Sequence, residues 1–130
     1  MSFDIIFGSS AFTVPNGHGF KDQNPRRKRW LADILRRLDP EFPPMSANDE
    51  PNLTLVRETP DGSVLVFTLN LSYDDIEELS YSCQRGIASA EVLSPDGTWR
   101  PLRIARTGGT VSLGHRLSCF ECAVLRFHLM

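Results

Sequence analysis

From Leu53 onward, apolar and polar residues alternate in short runs that are separated by turn signals. Thr59-Pro60-Asp61-Gly62 and Ser94-Pro95-Asp96-Gly97 are the clearest of these signals. Proline fixes φ at the second position of a turn, and glycine tolerates positive φ at its end. Because apolar runs flank both signals, the sequence predicts two β-hairpins. The first should pair Leu53–Arg57 with Val64–Leu69.

The same alternation predicts the remaining strands. Val64–Leu69 is apolar on both faces, which predicts a central strand. Further strands are predicted at Ile76–Cys83, at Ala88, Ala90 and Val92, at Trp99, Leu102 and Ile104, at Val111–Leu113 and at Phe120–Leu129. The alternation changes phase between Val124 and Leu125, so we expect a bulge there or burial on both faces. The pattern predicts a mainly β (α+β) fold, an antiparallel β-sandwich of about seven or eight strands.

One amphipathic helix is predicted near the N-terminus. Asn24 is a favoured N-cap and Pro25 a favoured first helical residue. Pro40 disfavours helical geometry at the residue before it, so the helix should end by Asp39. Apolar residues between these limits form one stripe: Trp30, Leu31, Ile34, Leu35 and Leu38. Ahead of the helix, Phe3–Phe7 is predicted to be a buried strand.

A proline-rich stretch at residues 40–52 is predicted to be a linker or a boundary. It would separate a strand–loop–helix segment at residues 1–45 from the antiparallel sandwich at residues 50–130. With 130 residues, the chain is long enough to bury a core without a disulfide or metal staple.

Composition places the chain among ordinary soluble proteins, with 41% hydrophobic and 23% charged residues. A net charge of −2 gives no strong steering toward nucleic acid or anionic membranes. No apolar run approaches the roughly 18 residues of a membrane span. Met1–Asp4 lacks a basic lead, so a secretory signal peptide is not expected. Three cysteines disfavour a disulfide framework and suit a reducing compartment, so we expect a cytoplasmic protein.

Arg26–Arg29 is a basic run at the start of the predicted helix. Such a run can bind phosphate or nucleic acid. It lacks interleaved aromatic residues for base stacking, so a solvated helix face or an interdomain contact is the simpler interpretation.

Two other groups of polar residues are weaker candidates for metal-binding sites. Cys119 and Cys122, with His115 and Cys83, could supply zinc ligands, but an extended strand would point cysteines three apart to opposite faces. Asp74–Glu78 is acidic but lacks the spacing of an EF-hand, so a hydrated turn is the simpler interpretation.

Ser9 and Ser10 follow the first predicted strand, with His18 nearby. The pattern of a nucleophile elbow fails because Phe12 stands where glycine is needed. A small serine hydrolase therefore remains only a third hypothesis.

Aromatic residues could form a platform for sugars, because their faces pack on the apolar faces of sugar rings. The candidates are Trp30, Trp99, Tyr73 and Tyr81. We take Trp99 and Tyr73 as the candidate ligand-binding residues.

Three segments resemble the small β-sandwich that closes many glycoside hydrolases of the β-galactosidase type. They are Pro60–Ser72, the hairpin Glu91–Trp99 and the closing strand Val124–Phe127. Asn24–Leu38 resembles the last helix of the α/β domain that precedes this sandwich. The resemblance covers residues 50–130 better than residues 1–45. In that family the catalytic carboxylates lie in a barrel, so no catalytic residue carries over.

The leading hypothesis is a non-catalytic accessory module of a carbohydrate-active enzyme, without metal or cofactor. It would dock on a catalytic domain, or on a second copy, through the stripe of Trp30, Leu31, Ile34, Leu35 and Leu38, and it could contact glycan. The alternative is a free-standing module that binds protein or nucleic acid through Arg26–Arg29.

Overall fold

The computed structural model describes residues 25–39, 41 and 43–130. The predicted strand Phe3–Phe7 and the Ser9, Ser10 and His18 group lie outside these residues. The elements are α1 (Pro25–Leu38), β1 (Met45–Ser46), β2 (Asn52–Glu58), β3 (Val64–Asn70), β4 (Leu79–Ser82), β5 (Ile87–Leu93), β6 (Trp99–Pro101), β7 (Ile104–Thr107), β8 (Thr110–Leu113) and β9 (Cys122–Leu129).

The strands form two antiparallel sheets. A four-stranded sheet has the order β1-β4-β8-β7, and a five-stranded sheet has the order β2-β3-β9-β5-β6. The prediction of a mainly β, antiparallel fold is therefore confirmed. The described residues contain nine strands, because β1 lies inside the stretch that the sequence marks as a linker or boundary and the segment from Trp99 to Ile104 belongs to two strands. The domain division itself stays a prediction.

Both hairpins predicted from the Pro-Asp-Gly turns are confirmed. β2 pairs with β3 along its whole length, and Leu93 of β5 pairs with Trp99 of β6. Gly62 and Gly97 have φ values of 81° and 82°, the left-handed region that glycine enters without strain. Hydrogen bonds from Thr59 and Ser63 lower the pKa of Asp61, in the first turn, to about 2.

Several predicted strands differ from the observed ones. Trp99, Leu102 and Ile104 do not share a strand, because β6 ends at Pro101 and β7 begins in the other sheet. Proline has no N–H for the ladder, which makes it a natural end for this short edge strand.

The bulge lies in β5 and not in β9. The β5–β9 register shifts between Ile87 and Ser89, which leaves Ala88 exposed although the alternation had grouped it with Ala90. Val124 and Leu125 pair with β3 without interruption. Leu125 is fully buried and Val124 half-buried on the opposite face, so the change of phase reflects apolar residues on both faces of β9, of which only the inner face is fully buried.

The inner faces of the two sheets pack together. The rings of Tyr81 in β4 and Phe127 in β9 meet edge to face, with centroids 5.1 Å apart. The buried residues of this core are Val64, Val66, Ile76, Leu79, Tyr81, Ile87, Ala90, Val111, Leu113, Leu117, Ala123, Leu125 and Phe127. Tyr81 is therefore a core residue and cannot serve in a sugar platform.

One hydrogen bond joins the sheets through this core. The Tyr81 hydroxyl lies 2.5 Å from Oγ1 of Thr68 in β3, and both residues have 0% exposure. Burial raises the pKa of Tyr81 well above its usual range. The neutral phenol thus bridges two sheets at a point where water cannot replace either partner.

The helix α1 begins at Pro25 and ends at Leu38, the limits that the prolines predict. The amide of Asp39 donates to the carbonyl oxygen of Leu35 at 2.9 Å, which closes the last turn. No helix in the described part of the chain is long and apolar enough to cross a membrane.

Thr68→Val should destabilise the fold by about 1–3 kcal/mol, because it leaves the buried Tyr81 hydroxyl without its partner. Tyr81→Phe should lower the free energy of unfolding less than Thr68→Val does, since Oγ1 of Thr68 still has Oγ1 of Thr54 as a hydrogen-bond partner at 3.4 Å. The double variant T68V/Y81F should be more stable than T68V. Urea unfolding followed by circular dichroism measures all three free energies, and a T68V variant as stable as the wild type would contradict the role of this bond.

Candidate functional site

A row of apolar side chains crosses the outer face of the five-stranded sheet. Paired residues of antiparallel strands point to the same face. The register pairs Leu55 with Phe67, and Phe67 with Val124. The β5–β9 register, continued by one residue, brings Leu93 beside Val124, and Leu93 pairs with Trp99. We call these five residues, one from each strand, the apolar row.

The apolar row is substantially exposed. Leu55 is 57% exposed, while Phe67 and Leu93 are each 37% exposed. Val124 and Trp99 are half-buried. Leu53, in the adjacent cross-strand pair with Leu69, is also exposed.

The outer face of the four-stranded sheet has a different character. Ser80 pairs with Ser112 and Ser82 with Thr110. The hydroxyls of Ser80 and Ser112 lie 3.0 Å apart, within hydrogen-bond distance. Small hydroxyl side chains therefore line this face, with Ser80, Thr110 and Ser112 half-buried and Ser82 buried.

Contiguous exposed apolar surface commonly marks an interaction site. The contrast between the two outer faces therefore identifies the outer face of the five-stranded sheet as the candidate functional site. We call it the docking face: the apolar row together with Leu53, Leu65 and Leu69.

A charged cluster borders the docking face. Arg126 of β9 pairs with Leu65 on one side and with Glu91 on the other. Nε and Nη2 of Arg126 lie 2.7 and 2.5 Å from Oε2 of Glu91. Nε2 of His128 lies 3.3 Å from the same oxygen. The guanidinium carbon of Arg126 lies 4.3 Å from the centroid of the Trp99 ring, which is a cation–π contact.

The cluster holds Glu91 as an anion. Its pKa is lowered, first by the hydrogen bond from Arg126 and then by the contact with His128. A carboxyl with a lowered pKa suits an ion pair, whereas a general acid needs a raised pKa.

Trp99 and Tyr73, the predicted ligand-binding residues, have separate partners. Arg126 covers one face of the Trp99 ring. Tyr73 lies in the loop after β3, is 87% exposed, and meets Phe120 edge to face with centroids 5.5 Å apart. The sugar-binding role of the two residues stays a prediction.

Phe120 lies in a turn and not in the strand that its neighbours predicted. Its φ of 55° is unusual for a large side chain.

The candidate zinc ligands Cys119 and Cys122 do not share a strand. Cys119 lies in the same turn as Phe120, and the extended strand β9 begins only at Cys122. Cys119 and Cys122 are exposed free thiols. Among the described residues, no three His, Cys, Asp or Glu side chains are placed to hold a metal ion.

Asn70 anchors the loops that carry Tyr73 and Phe120. Its side chain is fully buried, and Nδ2 lies within hydrogen-bond distance of three carbonyl oxygens. These belong to Asp74 at 2.8 Å, Leu117 at 3.2 Å and Ser118 at 3.1 Å. Oδ1 accepts a hydrogen bond from the amide of Ser72 at 2.8 Å.

The acidic turn is tied into ion pairs. Asp75 accepts hydrogen bonds from the Arg116 guanidinium and from the amide of Cys119, and these lower its pKa. Nε of Arg116 also lies 3.6 Å from Oε1 of Glu77. Asp75 and Glu77, two of the four acidic residues of this turn, are therefore paired with Arg116.

The predicted docking stripe on α1 is only partly described. Trp30 and Leu38 are 52% and 41% exposed, Ile34 is half-buried, and Leu35 is buried. The side chain of Leu31 lies outside the described part of the structure. So do those of Arg27, Lys28 and Arg29 in the basic run, whereas Arg26 is exposed.

Sequence reasoning missed most of the docking face, since Trp99 is its only residue that was selected as a site candidate. The available signal was Val64–Leu69, whose alternate residues Leu65, Phe67 and Leu69 point away from the core. Apolar residues on both faces of a strand indicate that its outer face also makes apolar contacts, which another protein can supply.

Asn70→Asp should destabilise the fold by about 3 kcal/mol at neutral pH, because it places a carboxylate against carbonyl oxygens and removes the donor. The loss should shrink as the pH falls, since a protonated carboxyl regains one donor. Urea unfolding at pH 7 and pH 4 measures this, with the wild type as the reference for general acid effects. An equal loss at both pH values would contradict the role assigned to Nδ2.

The Glu91 carboxyl should titrate below its ordinary pKa of 4.5 in the folded chain. Because folding lowers this pKa, its stabilising contribution is present above the unfolded value and is lost as the pH falls through the folded value. Arg126→Met should raise the pKa more than His128→Asn does. Carboxyl carbon NMR measures it, and an unchanged pKa in R126M would show that the ion pair is not formed in solution.

Comparison with known proteins finds no match for this chain among protein-family models, curated proteins or solved structures.

Proposed function

We propose that this chain is a non-catalytic binding module that docks on a partner protein domain through the docking face. One observation carries the proposal: an exposed apolar row runs across all five strands of one sheet, on the side away from the core. A sheet buried on one face usually presents polar residues on the other. Here the outer face offers leucine and phenylalanine instead.

The border of the docking face supports the same role. Protein interfaces combine an apolar centre with a polar rim, and they are enriched in tryptophan and arginine. Trp99 and Arg126 are in contact at this border, and Arg57 is exposed beside Leu65 on the same face. The fitting partner has an apolar surface with carboxylates along one side.

Four carboxyls of the described surface are held as anions. The pKa values of Asp61, Asp75, Glu91 and Asp96 are all lowered by hydrogen bonds. These carboxyls are stabilised as anions, the opposite of what a general acid requires.

The proposed partner is the catalytic domain of a carbohydrate-active enzyme. This part of the proposal comes from the resemblance of Pro60–Ser72 and Glu91–Trp99 to the closing sandwich of β-galactosidase-type hydrolases. The proposed docking surface is the sheet and not the helix stripe that the sequence suggested. Register and exposure define the apolar row in the described strands, whereas the helix stripe is only partly described.

A photo-crosslinking residue at position 67, in cells that express the full chain, identifies the partner by mass spectrometry. The same residue at position 112, on the serine-rich face, is the matched control. The purified partner should then bind the wild type and the Ser112→Glu variant equally. Phe67→Glu and Leu93→Glu should each weaken binding about 30-fold or more, the scale of interface hot spots.

Circular dichroism and thermal unfolding first establish that each variant is folded. Unchanged binding in both folded F67E and L93E would contradict the proposal, as would cross-linking that is equal at positions 67 and 112. A partner that is not a carbohydrate-active enzyme would refute the partner assignment while leaving the docking face intact.

The alternative hypotheses give different results. Docking through apolar surface should depend weakly on salt, whereas phosphate or nucleic-acid binding through Arg26–Arg29 should weaken steeply as salt rises. Galactose that perturbs the NMR signals of Trp99 would favour direct glycan contact instead.

A further inference from the structure

β2 is an unusual edge strand. It lies at one edge of the five-stranded sheet, spans Asn52–Glu58, and pairs with β3 without a register shift. The other edge strands are short: β1 has two residues, β6 has three and ends in Pro101, and β7 has four. Short strands and proline protect an edge from pairing with another chain. The seven residues of β2 have neither protection.

The free side of β2 has the hydrogen-bonding groups of a docking edge. In an antiparallel pair, alternate residues direct their N–H and C=O groups away from the neighbouring strand. Within the described part of the chain, β2 is hydrogen-bonded into the sheet through β3 alone. Leu53 and Leu55, on the outer face of this strand, are 46% and 57% exposed.

We propose that β2 pairs antiparallel with β2 of a second copy, around a two-fold axis at Leu55. This interaction goes beyond the docking function, because it uses the backbone of the sheet edge and not the sheet face. It joins the two five-stranded sheets into one continuous sheet. The two apolar rows then meet at Leu55 and form one longer apolar surface.

The side chains of β2 are compatible with this register. Leu55 lies opposite Leu55 of the second copy, Leu53 opposite Arg57, Thr54 opposite Val56, and Asn52 opposite Glu58. Opposed like charges destabilise a strand pair, and this register contains none. A two-fold axis at Arg57 or Glu58 would instead place two identical charges directly opposite each other.

A pair of substitutions at one position tests both the dimer and its register. Leu53→Lys places a lysine opposite Arg57 at two symmetric points, whereas Leu53→Glu places a carboxylate there. Both remove the same leucine from the docking face, so only the edge pairing distinguishes them. Sedimentation equilibrium of the full chain should show a wild-type dimer. Its dissociation constant should rise about tenfold or more in L53K, and the dissociation constant of L53E should be lower than that of L53K.

The double variant L53K/R57E should restore the dimer, because it replaces the like-charge pair of L53K with an opposite-charge pair at both points. Amide exchange at β2 should slow as the protein concentration rises, while the exchange of core amides in β9 should not change.

A wild-type chain that stays monomeric up to millimolar concentration would overturn the proposal. A dimer that L53K and L53E weaken equally would overturn the register. Phe67→Glu, on an interior strand, should leave the dimer unchanged. Loss of partner binding in F67E together with an intact dimer would separate the docking function from this inference.

Discussion

A sheet can bury only one of its faces against a single opposing sheet, and this constraint governs the molecule. The inner faces meet through Tyr81 and Phe127 and exclude water from the space between them. Every second residue of the five-stranded sheet is then left on the outside. In this chain those outer residues include the apolar row, so the same strands that build the core also build a surface suited to another protein.

Three buried polar side chains fix the architecture around that core. Thr68 and Tyr81 join the sheets through one hydrogen bond, and Asn70 ties the loop after β3 to the segment before β9. Buried polar groups need their partners, so each alternative sheet packing or loop position would leave a donor or acceptor unsatisfied. A surface formed by five separate strands depends on this single arrangement, because it exists only when all the registers are correct.

The electrostatics of the outer face agree with a binding role. Arg126 neutralises Glu91, contacts Trp99 and separates the apolar row from the more polar end of the sheet. Ion pairs of this kind contribute modestly to stability where they are exposed to solvent, but they limit which partners fit beside an apolar patch. The proposed pairing of β2 with a second copy would add another mode of association, in which backbone groups supply affinity and side-chain charges set the register.

The sequence alone determined the local features of this protein. Pro-Asp-Gly at two places specified both hairpins, Pro25 and Pro40 set the limits of the helix, and Val64–Leu69 predicted an interior strand, because each signal acts within a few residues. Tertiary structure decided where Trp99–Ile104 changes sheet, that Ala88 faces outward, that Tyr81 is buried and that Phe120 turns. It also decided the apolar row. Its members come from five strands spread between Leu55 and Val124, and only the pairing of distant strands brings them onto one face.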